Sequence, residues 1–250
     1  MCIRDRYIFG IKNKIHIIDL RITLPLIDVA LSKLYEIVSK SGKVLIVGTK
    51  KQCSKIVKEV SLETQQFFVN KRWLGGTLTN WKTISNSINK LDNLEIIINE
   101  NNSNNSLSKK ELLNLSRERD KLISNIGGIR TLAGKPDILI VFDVVKDKLA
   151  VLEANKLSIP VIAIVDTNAN PDLVDYPIPG NDDAIRANRL YLEGIADGIL
   201  AARQCFTEWF RQQDIGWLSD CLGPRAPWRQ VFGDGRASLC HRWKTGGEGR

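Results

Sequence analysis

Histidine is scarce in this sequence: His16 and His241 are the only two, and they lie at opposite ends of the chain. A Ser–His–Asp triad or a histidine-rich metal site needs an imidazole close to its other members, so the sequence offers little from which to build either. The five cysteines form no Cys-x-x-Cys pair and no even framework, which is typical of reduced thiols in a cytoplasmic-type compartment. We therefore predict no metal site and no cofactor.

Long apolar runs and nucleotide-binding motifs are also missing. No stretch of about 18 apolar residues occurs, so the sequence predicts no membrane span. Residues 43–47 are typical of a buried strand, and they lead through Gly48-Thr49-Lys50 into a helical pattern, as in a phosphate loop. However, the chain has neither the GxxxxGK(S/T) nor the GxGxxG spacing. We interpret the segment as a tight strand-to-helix turn. Binding of RNA phosphates there stays open, whereas binding of a nucleotide is not expected.

What the chain has in excess is positive charge. It carries 36 Lys and Arg residues against 28 Asp and Glu residues, for a formal net charge of +8. This balance favours a polyanionic partner, although many soluble enzymes are equally basic. The 250 residues can bury one substantial core, with room for an insertion or a tail.

Short apolar segments alternate with helical patterns along the chain. Apolar or β-rich runs predict strands at residues 14–20, 43–47, 67–69, 138–143 and 161–166. Predicted helices lie between them, including one capped by Thr23 with Pro25 in its first turn, one over 146–156 and, after a turn at 178–181, one over 182–202. Strands this apolar need cover on both faces. The sequence thus predicts an α/β fold, with a doubly wound, flavodoxin-like or Rossmann-like parallel sheet in three α/β/α layers.

An inserted antiparallel helical hairpin is predicted over residues 82–126. Its first helix covers residues 82–98 and has one apolar face, and an Asn/Ser-rich run over 99–106 interrupts it. Ser108 and Glu111 form a capping box that opens the second helix, and Gly127-Gly128 ends it. The second helix is basic. Its charged residues form either a solvated surface or a contact with RNA, and the sequence leaves both interpretations open.

The two ends of the chain differ in character from the rest. Residues 1–6 are interpreted as a foreign N-terminal scar, which precedes an α/β domain over residues 7–203. Residues 204–250 form an atypical Trp-, Arg- and Gly-rich tail. The abrupt change in composition favours a disordered or artefactual tail, and an RNA-binding tail is the alternative.

The segment between the predicted strand at 67–69 and the predicted helix at 82–98 holds two adjacent glycines, two tryptophans and two cations. Paired glycines allow positive φ or close approach to another molecule, and arginine binds phosphate with two parallel hydrogen bonds. A tight turn with both indoles in the core explains the same composition. Composition alone therefore leaves both interpretations open.

The order of residues 67–83, FFVNKRWLGGTLTNWKT, resembles the signature of the bacterial-type small-subunit ribosomal protein S-two family. Three further blocks resemble the same family in the same order: GGIR at 127–130, IPVIAIVDTN at 159–168 and IPGNDDAIR at 178–186. The likeness covers residues 7–203 and is far more specific than one short motif. The family's upstream segment, rich in His, Gly and aromatics, does not precede Tyr7, so RNA contacts or metal ligands from that segment are not carried over.

This resemblance implies a structural constituent of the small ribosomal subunit that supports translation without turnover, in cytoplasmic ribosomes or in those of an organelle. It implies binding to small-subunit rRNA at the junction of head and body, and to other small-subunit ribosomal proteins, including the large bacterial protein S-one. Trp73 and Trp81 are expected to pack the loop, with base stacking as the alternative. We expect RNA phosphates at nine cations: Lys12, Lys14, Lys71, Arg72, Lys82, Arg130, Lys135, Arg186 and Arg189.

Two other functions stay open. The carboxyl edge of the predicted sheet offers residues 48–50, Asp143 and Asp166, where an α/β enzyme could act on a phosphorylated small molecule. No nucleophile paired with a base and no dinucleotide motif supports that alternative. We expect Asp143 and Asp166 to accept hydrogen bonds from loop N–H groups, and residues 181–183 to cap a helix rather than bind a metal. A ribosome-free protein-binding adaptor is the third alternative.

Overall fold

The computed structural model describes residues 6–13, 15–104 and 108–214, with the surroundings of every side chain in these ranges except 101–104 and 205–214. The chain divides into two units, Met1–Ala202 and Arg203–Arg250. Among the described residues, no helix combines the length and the apolar character needed to cross a membrane. The elements follow in the order β1 (Ile8–Lys12), β2 (Ile15–Ile18), α1 (Leu20–Ser39), β3 (Val44–Val47), α2 (Lys51–Glu63), β4 (Phe67–Val69), α3 (Trp81–Asn104), α4 (Lys109–Ile126), β5 (Ile138–Val141), α5 (Lys148–Lys156), β6 (Val161–Val165), β7 (Tyr176–Pro179) and α6 (Ile185–Asp214).

The centre of the fold is a five-stranded sheet in the order β4-β3-β5-β6-β7, and every neighbouring pair in it is parallel. Counted within the sheet alone, this order is 2-1-3-4-5, which is the flavodoxin-like doubly wound arrangement. The strand order reverses between β3 and β5. In such sheets the crevice outside the carboxyl ends of those two strands is the usual ligand site.

Alternate residues of each strand point to opposite faces of the sheet, so each strand supplies two cores. On β3, Leu45 and Val47 belong to one cluster, and Val44 and Ile46 belong to the other. Helices α1, α2 and α6 cover the second cluster, whereas α5, the first turns of α3 and the end of α4 cover the first. The predicted three-layer α/β/α fold is confirmed.

One strand prediction was wrong, and one strand was not predicted. Residues 14–20 do not form a core strand, because β2 pairs antiparallel with β1 in a separate two-stranded sheet. The edge strand β7 was missed because Pro177 and Pro179 lie in it. Proline cannot donate a hydrogen bond to a neighbouring strand, which an edge strand tolerates because only one of its sides is paired.

Helix ends also differ from the predictions. The carboxylate of Asp19, rather than Thr23, caps α1 by accepting from the Arg21 N–H at 3.0 Å. Thr23 is buried inside that helix, and its hydroxyl donates to the Pro179 carbonyl at 2.9 Å, which ties α1 to β7. Helix α3 continues through the Asn-rich run as far as Asn104, and α6 continues to Asp214 instead of ending at residue 202.

Helices α3 and α4 occupy the range of the predicted hairpin. The Lys90 ammonium on α3 pairs with the Glu118 carboxylate on α4, and the capping box of Ser108 and Glu111 is confirmed. Residues 105–107, which join the two helices, lie outside the described residues, so the hairpin as a whole stays a prediction. The same holds for most of the predicted N-terminal scar (residues 1–5) and for the predicted tail beyond Asp214.

Candidate nucleic-acid interface

The loop between β4 and α3, residues 70–80, is called the signature loop below. It leaves the carboxyl end of β4, which is an edge strand of the sheet. Inside it, the Asn80 N–H donates to the Gly76 carbonyl at 2.8 Å, and the Thr77 N–H donates to the Leu74 carbonyl at 3.1 Å. Gly76 has φ +87°, a conformation that L-residues with side chains rarely adopt. One of the paired glycines is therefore required by the turn itself.

The carboxylate of Glu153 on α5 anchors the inner side of the signature loop. Its Oε1 accepts from the Trp73 indole N–H at 3.1 Å and from the Gly76 N–H at 2.7 Å. Its Oε2 accepts from the backbone N–H groups of Leu78 and Thr79 at 2.9 and 3.1 Å, and from the Thr79 hydroxyl at 3.2 Å. One carboxylate thus satisfies five donors that a loop of this shape would otherwise leave to water.

The anchoring bonds also set the ionisation of Glu153. Burial raises the pKa of this carboxyl, but the hydrogen bonds from Trp73 and from the backbone of Gly76, Leu78 and Thr79 outweigh it and hold the pKa below its ordinary value. Glu153 is therefore ionised at neutral pH, which strengthens each of the bonds that it accepts. Glu153 was not among the residues predicted from the sequence.

Both tryptophans of the segment pack against the sheet. Trp73 is 6% exposed and lies in one of the two core clusters with Leu78, while Trp81 is half-buried and packs against the same cluster. The expectation that these indoles pack the loop is confirmed. The face of Trp73 is consequently not free to stack on a base.

The other side of the segment is exposed and basic. Lys71, Arg72 and Lys82 are exposed, and within the described part of the chain no hydrogen bond or ion pair engages their side chains. Gly75 is exposed beside them, and a Cβ placed on it would meet no atom within 4 Å. Three of the predicted cations are therefore exposed within the signature loop or directly after it, and the backbone of the loop is open at Gly75.

The remaining predicted cations are not gathered at this place. Arg186 and Arg189 are exposed on the first turns of α6, after β7, and four strand spacings separate β7 from β4, or roughly 19 Å. Lys12 is exposed on β1, and Lys135 is exposed before β5, at the amino end of the sheet. Lys14 lies outside the described residues.

Arg130 differs from the free cation that the sequence suggested. Its guanidinium pairs with the carboxylates of Asp92 and Glu95 on α3, the latter at 2.9 Å. Hydrogen bonding to Glu95 raises the pKa of Arg130 further, and Asp92 adds to the effect. The residue therefore joins the segment after α4 to the middle of α3.

The crevice between the ends of β3 and β5 is occupied by an internal ion cluster. The Lys50 ammonium lies 3.1 Å from the Asp143 carboxylate and 2.8 Å from those of Asp182 and Asp183. Burial lowers the pKa of Lys50, but these three carboxylates outweigh it and raise the pKa above its usual range. Carboxylates already neutralise the Lys50 charge, so the structure gives no support to RNA phosphates at residues 48–50.

Aspartates at this edge hold loops together, as predicted. Asp143 accepts from the N–H groups of Val145 and Lys146 at 2.8 and 2.9 Å. Asp166 accepts from the N–H of Thr167 at 2.6 Å. The cap at the start of α6 is Asn181, whose Oδ1 accepts from the N–H groups of residues 183 and 184.

Among the described residues, Asp166, Asp182 and Asp183 form the one group of carboxylates close enough to share a cation, with oxygens within 4.8 Å of one another. The Lys50 ammonium already lies beside two of them. Burial raises the pKa of Asp182 to about 6, and repulsion from Asp143 and Asp166 adds to this, against the attraction of Lys50.

Comparison with known proteins identifies the family. A family model described as "Ribosomal protein S2" matches residues 3–202. The chain is 52% identical over 194 residues to "Small ribosomal subunit protein uS2" of Rickettsia conorii (strain ATCC VR-613 / Malish 7), covering 78% of this chain and 66% of that protein. It is 50% identical over 216 residues to the protein of the same name from Rickettsia prowazekii (strain Madrid E), covering 86% and 72%. The corresponding values for Phenylobacterium zucineum (strain HLK1) are 52% over 196 residues, 78% and 66%.

The chain thus spans about two thirds of the length of most of these relatives. They are named as ribosomal proteins, which are structural components rather than enzymes, so the comparisons give no support to the alternative of an enzyme acting on a phosphorylated small molecule. Because the family model covers residues 3–202 and these relatives are 50–52% identical to the chain, the chain belongs to the ribosomal protein S2 family.

Proposed function

We propose that this chain is a structural constituent of the small ribosomal subunit and that it binds small-subunit rRNA through the exposed side of the signature loop. The observation that carries the proposal is the anchored loop. Glu153 holds the loop at five points, and the cations Lys71 and Arg72 within the loop and Lys82 directly after it are exposed. A ribosomal protein of bacterial type is part of the ribosome, in the cytoplasm.

Fixed geometry and unpaired positive charge suit a folded RNA. Lysine and arginine neutralise phosphates and release condensed counterions, which supplies affinity without reading sequence. The loop is already ordered by Glu153, so binding does not have to order it again. Exposed backbone at Gly75 allows close approach to the RNA, in keeping with recognition by shape.

The charge pattern along the carboxyl edge favours contact at its flanks. Lys71 and Arg72 follow β4 on one flank, and Arg186 and Arg189 follow β7 on the other. Between the flanks lies the aspartate cluster around Lys50, which repels phosphate. The proposal therefore assigns the main RNA contact to the signature loop, with Lys12, Lys14, Lys135, Arg186 and Arg189 as additional contacts, and assigns Arg130 to positioning α3.

The proposal extends to protein partners, on the support of the family resemblance. These are neighbouring small-subunit proteins, including the large protein S-one. In a bacterial-type ribosome of an organelle, the chain would bind the same kinds of partner, rRNA and neighbouring ribosomal proteins. The role involves no turnover, because the arranged groups bind and position RNA and transform no substrate.

The test removes charge from the loop while leaving its anchor intact. The variant Lys71→Ala with Arg72→Ala is added to small-subunit particles stripped of the endogenous protein, and co-sedimentation is measured over a series of salt concentrations. We expect weaker association, and a slope of log affinity against log salt that falls by roughly 1.4–1.8 because two phosphate contacts are lost. The matched control is Lys55→Ala with Lys58→Ala, which removes two exposed cations from α2. Equal slopes for the two double variants would contradict the assignment.

A further inference from the structure

Two side chains at the start of the signature loop each bind the backbone of the other residue. The Ser54 hydroxyl on α2 donates to the Asn70 carbonyl at 2.7 Å, and the Asn70 side-chain amide donates to the Ser54 carbonyl at 3.1 Å. Both residues are half-buried. We call these two hydrogen bonds the Ser54–Asn70 clamp. The clamp joins α2 to the residue that directly follows β4, across 16 positions of sequence.

The helix that carries one half of the clamp is packed closely against the sheet. A Cβ on Gly48, at the end of β3, would lie 2.9 Å from the sulfur of Cys53 on α2, so a larger residue there would push the helix away. The Gly48 N–H also donates to the Val69 carbonyl at 3.0 Å, which adds a hydrogen bond at the last residue of β4. Ser54 therefore lies on a well-packed helix, and the clamp fixes Asn70 relative to the sheet.

Only two residues separate the clamp from the next fixed point of the loop. Trp73 is buried in the core, and its indole N–H is bound by Glu153. Lys71 and Arg72 are exposed and form a two-residue link between Asn70 and Trp73, which are both held. Because each residue has only two soft backbone dihedrals, a link this short with fixed ends has few conformations available. The backbone that carries the two cations is consequently well defined.

An ordered link favours the binding of phosphates. A segment that has to be ordered on binding loses conformational entropy, which subtracts from the affinity. The number of cations in contact with phosphate instead sets how steeply the affinity depends on salt. A residue that orders the link should therefore change the affinity at every salt concentration and leave the salt slope the same. A clamp that served folding alone would leave the affinity of the folded protein unchanged.

We infer that Ser54 and Asn70 are positioning residues for RNA binding, and that their clamp holds Lys71 and Arg72 in the arrangement in which these cations meet rRNA phosphates. The inference rests on the proposed function, because it concerns the same cations. Neither clamp residue carries a charge, and neither has to touch the RNA. The clamp holds the start of the link, whereas Glu153 holds the loop from Trp73 onwards.

The test compares Ser54→Ala with Ser54→Thr, which keeps the hydroxyl donor. Co-sedimentation with stripped small-subunit particles is measured over a series of salt concentrations, and thermal unfolding checks that each variant is folded. We expect Ser54→Ala to bind roughly fivefold to tenfold more weakly than the unsubstituted protein at every salt concentration, with an equal salt slope. Ser54→Thr should bind within about twofold of the unsubstituted protein. The matched control is Ser32→Ala, which removes a hydroxyl that donates to the Asp28 carbonyl within α1 and should leave binding unchanged.

A double-mutant cycle shows whether the clamp acts through the two cations. In a protein that already carries Lys71→Ala and Arg72→Ala, Ser54→Ala should weaken binding by less than about twofold, because no cations remain to be positioned. An equal loss of affinity with and without Lys71 and Arg72 would mean that the Ser54 hydroxyl acts in some other way, and would overturn the inference.

A measurement without RNA tests the order of the link itself. In the free protein we expect the backbone order parameters of Lys71 and Arg72 to be about 0.85 and to fall towards 0.6 in Ser54→Ala. Unchanged order parameters in Ser54→Ala would overturn the inference.

Failure of the inference can be told apart from failure of the proposed function. If Ser54→Ala bound like the unsubstituted protein while Lys71→Ala with Arg72→Ala bound weakly, the inference would be wrong and the proposed function would stand. If Lys71→Ala with Arg72→Ala had the same salt slope as the control variant on α2, the proposed function would be refuted, and the inference with it.

Discussion

The indole N–H of Trp73 donates to Oε1 of Glu153 at 3.1 Å, across 80 positions of sequence. The same oxygen accepts from the Gly76 N–H at 2.7 Å. A residue of the signature loop and a residue of α5 are thereby fixed to each other through a single atom. This relationship explains how a loop with two adjacent glycines keeps a defined shape. The carboxylate that stabilises the loop comes from α5, which lies far away in sequence.

Replacing the anchor should destabilise the protein. Glu153→Ala removes the acceptor for the indole N–H of Trp73 and for three backbone N–H groups, so we expect the free energy of unfolding to fall by about 2–4 kcal/mol. Glu153→Gln keeps one acceptor oxygen and should cost about half as much. Urea-induced unfolding at neutral pH measures both values.

Two comparisons make this prediction specific. Glu193→Ala removes an exposed carboxylate from α6 and should change the free energy of unfolding by less than about 0.5 kcal/mol. The pKa of Glu153 is lowered in the fold, so its contribution is present above the ordinary carboxyl pKa and is lost as the pH falls below it. If Glu153→Ala were no more destabilising than Glu193→Ala, the loop would be held by packing alone.

The ion cluster predicts an opposite pH dependence for Asp182. Its pKa is raised from an ordinary 3.8 to about 6, so the folded state binds the proton more tightly than the unfolded state does. Stability from this group is therefore complete below about pH 4 and is lost as the pH rises through about 6. Asp182→Asn does not titrate, and its stability relative to the unsubstituted protein should rise by about 2 kcal/mol between pH 4 and pH 7.

Urea unfolding at four or five pH values would measure that difference. Asp172→Asn supplies the control, because Asp172 is exposed and, within the described part of the chain, no ion pair engages its carboxylate. A difference between Asp182→Asn and the unsubstituted protein that stays constant with pH would mean that Lys50 compensates the Asp182 charge fully.

The fold was predictable because its signals are local. Strands β3, β5 and β6 are short runs rich in Val, Ile and Leu. Such runs can be recognised as buried strands without knowing which strands pair with them. The run at 14–20 has the same composition, yet β2 lies outside the main sheet, since composition does not say which strand is the partner. Strand β7 was hidden by two prolines that only an edge position tolerates.

The site was predictable only on its exposed side. Lys71, Arg72 and Lys82 could be proposed from charge and motif, and their exposure agrees with that. Glu153 could not be paired with the loop from sequence, although its position beside the buried Ala150 and Ala154 on α5 indicates a carboxylate near the core side of its helix. Polar contacts between residues far apart in sequence leave no periodic signal in a single sequence.

Arg130 illustrates the same limit and gives a third prediction. Its ion pairs with Asp92 and Glu95 are partly exposed, so Arg130→Ala should lower the free energy of unfolding by no more than about 1 kcal/mol. The slope of particle binding against salt should stay the same, because the guanidinium is already neutralised. Arg117→Ala, which removes an exposed arginine from α4, is the control for both measurements. If the salt slope of particle binding fell with Arg130→Ala but not with Arg117→Ala, Arg130 would contact RNA after all.

Two glycines should respond oppositely to alanine, and the first reports on the fold. A Cβ on Gly128 would lie 2.2 Å from the Phe68 carbonyl oxygen, so backbone must move to admit it. We expect Gly128→Ala to lower the free energy of unfolding by about 1–3 kcal/mol, as overpacking does elsewhere. Urea unfolding measures this value directly.

Alanine at Gly75 should instead affect binding to the ribosomal particle and not stability. A Cβ there meets no atom within 4 Å, and Gly75 is not among the residues with positive φ, so Gly75→Ala should leave the free energy of unfolding unchanged within about 0.5 kcal/mol. If backbone at this point lies against rRNA, the added methyl group should weaken particle binding about tenfold, or about 1.4 kcal/mol. Because Gly75→Ala removes no charge, its salt slope should equal that of the unsubstituted protein, in contrast to Lys71→Ala with Arg72→Ala. Full affinity in a folded Gly75→Ala protein would mean that the loop reaches the RNA through its cationic side chains alone.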